Sequence, residues 1–149
     1  MIVVERSDLD RDALARLAPR REDQADDGFD YRGVTVAKPW GHEAQLHRGG
    51  AVSVWRLTLR AGAETSMHCH PGKRTALIVE SGEAVLHTLT RRYDLRAGDF
   101  VHIEAGAFHR TETARGAVLL EVESPPVKRD LVRLSDVYGR QGQGYEKCA

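Results

Sequence analysis

Gly62-Ala-Glu-Thr-Ser-Met-His68-Cys-His70, answered further along by Gly98-Asp-Phe-Val-His-Ile-Glu104-Ala-Gly106-Ala-Phe-His109, is the part of the chain that decides its architecture. One residue separates His68 from His70. On a strand, side chains alternate between faces, so both imidazoles leave from the same side and Cys69 leaves from the other. A third histidine, His109, arriving from a separate strand completes three nitrogen donors. Three protein ligands are the usual contribution to a catalytic metal that keeps a position open. His68, His70 and His109 are therefore the expected metal ligands, and Cys69 is expected to be a small buried apolar residue.

Working outward, short β-rich runs separated by glycines begin at Val34. The expected strands are Val34–Ala37, Ala51–Leu59, Ser66–His70, Thr75–Glu80, Ala84–Leu89, Arg92–Leu95, Phe100–Ile103, His109–Thr113 and Ala117–Val122. Strands this short at this spacing indicate an antiparallel sandwich or barrel. Ser81-Gly82-Glu83 reads as a hairpin turn between two of them. Before the β region, Ser7 to Leu17 reads as a short helix, capped by Ser7, carrying Asp8 and Asp10 in its first turn and stopped by Pro19. Arg20 to Asp30 reads as a charged surface linker. The expected organisation is a helix and linker over 1–30, the barrel over 31–140 with Asp130–Tyr138 as a closing segment, and a loose glycine-containing tail over 141–149.

With 149 residues, one domain with a real core is expected. Lys and Arg total 22 against 22 Asp and Glu, a balance that argues against nucleic-acid and anionic-membrane partners. No apolar run reaches the ~18 residues of a membrane span, and Met1-Ile-Val-Val-Glu-Arg lacks a secretory pattern, so the expected compartment is the cytoplasm. Two cysteines, Cys69 and Cys148, make no disulfide framework; Cys148, next to the C-terminus, is expected to be exposed.

These residues carry a resemblance. Gly62-x5-His68-x-His70 followed by Gly82 is similar to the first motif of the cupins, and Gly98 to His109 is similar to the second. The resemblance implies an all-β double-stranded β-helix, a jelly-roll barrel with a metal in its mouth. A narrower likeness covers Lys38 to Arg140. Ala37-Lys38-Pro39-Trp40-Gly41-His42-Glu43, His109-Arg110 and Asp130-Leu-Val-Arg-Leu-Ser-Asp136-Val-Tyr138-Gly139-Arg140 resemble three landmarks of the type II phosphomannose isomerase domain, which also ends bifunctional mannose-1-phosphate guanylyltransferases. The chain departs from the pattern where the first motif carries a glutamate ligand: that place is taken by Thr75. Glu80 is on the same strand but should face away, and Glu64 precedes the first histidine. Glu104 stands where the family has proline.

Three neutral imidazoles leave the charge of a divalent ion uncompensated, which makes a strong Lewis acid. Zinc or iron, with nickel or manganese as alternatives, is the expected cofactor. A small polar metabolite is the expected partner, gripped by Lys73 and Arg74 beside Thr75, with Glu104 or His102 as the base. The resemblance also implies a homodimer, and a partner enzyme is a further expectation. Three functions stay open. One is a metal-dependent sugar-phosphate isomerase. Another is a three-histidine metal enzyme of different chemistry, either an iron dioxygenase or a zinc enzyme rearranging an amino-acid intermediate through N–N bond formation. The last is a non-catalytic binding or regulatory cupin.

Overall fold

The computed structural model describes residues 1–145. In chain order the elements are β1 (Ile2–Val4), α1 (Asp8–Leu17), a 3-10 turn (Arg21–Gln24), β2 (Thr35–Lys38), β3 (Gly41–Gly49), β4 (Val52–Leu59), β5 (Met67–Cys69), β6 (Arg74–Thr88), β7 (Arg92–Arg96), β8 (Phe100–Ile103), β9 (His109–Glu112), β10 (Ala117–Ser124) and β11 (Val132–Ser135). Two sheets form, and they share β6. Neighbours in the first run β1-β8-β6-β10-β4-β3-β2; in the second they run β11-β5-β9-β6-β7. The pairings are antiparallel except β1 on β8. This is the all-β jelly roll that the resemblance implies, with its short N-terminal helix and a short closing strand.

The expected hairpin at Ser81-Gly82 is absent. β6 runs unbroken for 15 residues and bends there instead. Up to Gly82 it pairs with β10 in the first sheet, and from Glu83 it pairs with β7 in the second. Gly82 has φ +80°, and a Cβ there would lie 2.4 Å from the Gly116 carbonyl oxygen. The turn-like Ser-Gly signal is real, but it marks the corner where one strand changes sheets. Three strands lie outside the expected set: β1, β3 and β11, the last within the expected closing segment. β3 carries His42, Gln45, His47 and Arg48, whose polarity hides it, because its outer face is solvated.

The core fills the space between the sheets. Val36, Trp55, Leu57, Leu59, Leu77, Val79, Leu86, Val101 and Leu119 are buried in one cluster. Each large apolar side chain contributes about 1.5–3 kcal/mol on burial. A second cluster, Ala13, Cys69, Phe108 and Val132, seats α1 against β5 and β11. The helix start is capped as expected. The Asp10 backbone N–H donates to Ser7 Oγ at 3.2 Å, and the Ser7 backbone N–H donates to Asp10 Oδ2 at 2.7 Å, a reciprocal box. Asp10 then accepts from the Phe108 backbone N–H at 2.9 Å, so the helix cap also fixes the entry to β9 and His109. Among the described residues, no helix is long and apolar enough to cross a membrane.

The tail, expected to be loose, packs as far as Tyr145. Arg133 on β11 donates to the Gln143 and Gly144 carbonyls at 3.3 and 2.5 Å. Tyr145 donates to Glu43 Oε1 at 2.5 Å. Cys148 and the rest of the expected tail lie outside the described residues.

Candidate metal centre

The register of the second sheet assembles the three histidines. His68 on β5 is the direct cross-strand partner of His109 on β9. His70 follows on the same face of the chain, and its carbonyl accepts from the Gly106 N–H at 2.9 Å, tying the approach to His109 down. Ring centroids lie 4.5 Å apart for His68 and His109, 5.0 Å for His68 and His70, and 5.4 Å for His70 and His109. All three are buried, and ligand atoms from the three rings lie within 4.8 Å of one another.

Their hydrogen bonds fix the tautomer. Nδ1 of His68 sits 2.8 Å from the Ser66 carbonyl, that of His70 2.7 Å from the Asp130 carbonyl, and that of His109 2.9 Å from the Ala107 carbonyl. A carbonyl only accepts, so each Nδ1 carries the proton and each Nε2 keeps its lone pair. Nε2 of His70 is buried and lacks a hydrogen-bond partner among the described residues. Burial, the largest influence on each ring, keeps all three neutral. Aided by neighbouring positive charge, it puts His68 and His70 well below the ordinary imidazole range, and it takes His109 to about 4. Carbonyl-oriented neutral rings with unprotonated Nε2 atoms are the donor set that suits a divalent transition metal. No carboxylate belongs to the group among the described residues. Glu80 is exposed and bonds to Arg56 at 3.0 Å, and Glu64 is paired with Arg110. Thr75 is buried, and its hydroxyl finds no partner among the described residues.

A cavity of about 50 Å³ opens beside His68 and His70. Its wall carries five cationic side chains, Lys38, Lys73, Lys128, Arg133 and Arg140, against two carboxylates, Glu43 and Glu121, with Trp40, Leu57 and Tyr145 as its apolar part. Lys128 lies between Glu43 at 3.3 Å and Glu121 at 3.5 Å, with its ammonium 4.0 Å from the Trp55 ring centroid. Burial works against this charge, but the three acids Glu43, Glu121 and Glu123 outweigh it and raise the Lys128 pKa. Burial would likewise raise Glu43, yet Lys128 and Lys38 hold it below the ordinary carboxylate range. For Glu121 burial wins, and its pKa is raised.

The structure distributes the other expected site residues unevenly. Lys73 does line the cavity, but it is ion-paired with Glu123 and donates to the Val127 carbonyl at 3.0 Å. Arg74, one residue along β6, is exposed and outside the cavity wall. Glu104 and His102 are also exposed and outside it. On β8 the alternation sends Val101 and Ile103 inward, so His102 faces out beside Phe100, and Glu104 accepts from the Arg6 backbone N–H at 2.7 Å. Neither is placed to serve as a base beside the histidines. In their stead stand Lys38, Glu43, Glu121 and Lys128. For Glu121 the signal was in the alternation of β10, where Ala117 and Leu119 hand the inward face on to Glu121 and Glu123.

Residues 55–123 match the family described as Cupin domain. The chain is 30% identical over 109 residues to the xanthan biosynthesis protein XanB of Xanthomonas campestris pv. campestris, covering 70% of this chain and 23% of that protein. It thus spans about a quarter of the length of that relative. In fold it is similar to an RmlC-like cupin from Shewanella frigidimarina, with a TM-score of 0.57, 20% identity, and coverage of 68% of this chain and 94% of that one. It is also similar to the capsular polysaccharide assembling protein CapF of Staphylococcus aureus, with a TM-score of 0.60, 17% identity, and coverage of 69% and 34%.

Proposed function

We propose, from the match of residues 55–123 to the Cupin domain family and from the three-histidine group, that the chain is a metal-dependent isomerase of a small sugar phosphate, built on His68, His70 and His109. One observation carries the reading: three neutral imidazoles, each with Nδ1 turned to a carbonyl and the Nε2 of His70 without a partner among the described residues, stand together at a cavity whose wall is rich in cations. The kinship with a xanthan biosynthesis protein supports a carbohydrate substrate. A divalent ion held by the three nitrogens supplies Lewis-acid polarisation of a carbonyl oxygen.

The chain's own residues account for the rest. Lys38, Lys128 and Arg140 line the cavity as cations, the first two paired with Glu43 and the guanidinium with Asp136, and a phosphate would draw on their charge. Trp40 and Leu57 keep water from the reacting carbons. Tyr145 has to give way. A cavity of about 50 Å³ holds one or two waters, far short of the ~300 Å³ and more that small-ligand pockets enclose. Tyr145 lies with its ring 3.8 Å from the Lys38 ammonium, in the place that an anion would take. Metal-loaded protein incubated with mannose 6-phosphate is expected to yield fructose 6-phosphate; absence of interconversion at high enzyme concentration retires the isomerase. Homodimer formation belongs to the same proposal and is read by sedimentation.

The absence of a carboxylate from the ligand group favours a second reading, an iron enzyme that uses oxygen on a thiol or amino-acid substrate. Oxygen uptake by the ferrous protein on adding such a substrate supports it, and zinc as the sole bound metal counts against it.

A further inference from the structure

We propose that Glu121 is the group that carries the proton in this cavity, an assignment that rests on the isomerase reading above. An aldose–ketose interconversion needs a base that takes a proton from one carbon and returns it to the next. Such a group must reach the substrate, must be free of tight pairing, and must sit on the same cavity as the histidines.

The acidic side chains of the interior separate cleanly on these criteria. Glu123 is held by Ser53 at 2.6 Å, by Trp55 at 3.0 Å and by Lys73, and it lies outside the cavity wall. Glu43 lines the cavity but receives Tyr145 at 2.5 Å, Lys128 at 3.3 Å and Lys38 at 3.7 Å. Two hydrogen-bond donors, Tyr145 and Lys128, and the nearby Lys38 ammonium hold it as a fixed anion. Glu121 lines the same cavity, is buried, and among the described residues has a single long polar contact, 3.5 Å to Lys128. A carboxylate offers about four acceptor positions, so Glu121 retains most of its capacity toward the cavity. Glu121, His68 and His70 line one cavity, so a ligand that enters it once Tyr145 gives way meets this carboxylate on the wall that the imidazoles border. Burial raises its proton affinity, which suits a group that must take up a proton and give it back.

The step balances without an external oxidant. The Glu121 carboxylate takes the proton from the carbon next to the carbonyl, and the electron pair of that C–H bond becomes the C=C bond of an enediol. The carboxyl then returns the proton to the former carbonyl carbon. The proton of the adjacent hydroxyl passes to the former carbonyl oxygen, and the new carbonyl forms. One carbon is oxidised and its neighbour is reduced.

The test compares metal-loaded wild type, Glu121→Gln and Glu121→Asp with mannose 6-phosphate in deuterated water. Isomerisation, deuterium incorporated at carbon, equilibrium binding of the sugar phosphate and bound metal are all read. Glu121→Gln is expected to keep its metal and bind the sugar phosphate, yet lose both isomerisation and exchange by at least ~100-fold. Wild-type rates in that variant overturn the assignment while leaving the isomerase intact. A wild type that neither isomerises nor exchanges removes the isomerase and the assignment with it. If Glu121→Gln does not fold, Glu121→Asp decides: it keeps the charge but draws it back by a methylene, and an unchanged kcat overturns the assignment.

Discussion

Lys128→Met tests the buried charge network that borders the histidines. Methionine fills nearly the same volume and removes only the charge and the donor. In the wild type the ammonium stands 3.3 Å from Glu43 and 3.5 Å from Glu121. At an effective dielectric near 20, each contact is worth roughly 5 kcal/mol of attraction, largely offset by the desolvation of the ions. The offset does not cancel on mutation, because the two carboxylates remain buried. Glu43 keeps Lys38 at 3.7 Å, while Glu121 keeps no cation in ion-pair contact among the described residues. Removing one partner from such a site costs about 3–5 kcal/mol at neutral pH. The deficit depends on pH in a definite direction. The Glu121 pKa, already raised by burial, rises further once Lys128 is gone. A carboxyl whose folded pKa lies above its unfolded value subtracts stability above that unfolded value, and it stops doing so once protonated. The deficit against wild type should therefore narrow as pH falls from 7.5 toward 5. Urea unfolding of both proteins at the two pH values measures it. A loss below ~1 kcal/mol, or a loss identical at both, refutes the reasoning.

Other outcomes follow from the same structure. His68→Ala and His109→Ala should each purify with little bound metal, against stoichiometric metal in the wild type, since no fourth ligand is grouped with the histidines among the described residues; elemental analysis decides it. Gly82→Ala should cost at least ~2 kcal/mol, a fall in Tm of about 4–8 °C by calorimetry, because a side chain at φ +80° is strained and its Cβ meets backbone. Glu123 is held down to about 2, because Lys128 and Lys73 outweigh the burial that would raise it. Its stabilisation is present above the unfolded carboxylate range and is lost as pH falls from there toward 2, so Glu123→Gln should flatten the acid limb of a pH-denaturation curve. Tyr145→Ala removes the bond to Glu43 that a ligand has to break, and it should lower the KM for mannose 6-phosphate by about 2–10-fold; an unchanged KM contradicts the displacement of Tyr145.

The histidine centre was legible because strand alternation is local. The His-x-His spacing alone places His68 and His70 on one face and sends Cys69 to the opposite cluster. The same rule, applied to Phe100–Ile103, would have put His102 outside, since Val101 and Ile103 are the inward pair. Charged residues mislead because a Lys or Glu on a strand reads as solvent-facing. Glu43 and Lys128 become interior only when β3 and the segment after β10 are brought to one cavity, and that depends on contacts between residues far apart in the chain. Gly82 shows another limit: positive φ and a Ser-Gly pair serve a turn and a sheet-changing bend equally well, and only the pairing of β10 and β7 along β6 distinguishes them.

The direct pairing of His68 with His109 means that the donor set exists in one alignment of β5 and β9 and in no other. A slip by a single position would offer the sulfur of Cys69 or the guanidinium of Arg110 where an imidazole belongs. An ion that favours three nitrogens thus also favours that alignment, so its binding would act as a clasp on the edge of the barrel, rewarding the correctly threaded chain over its near misses.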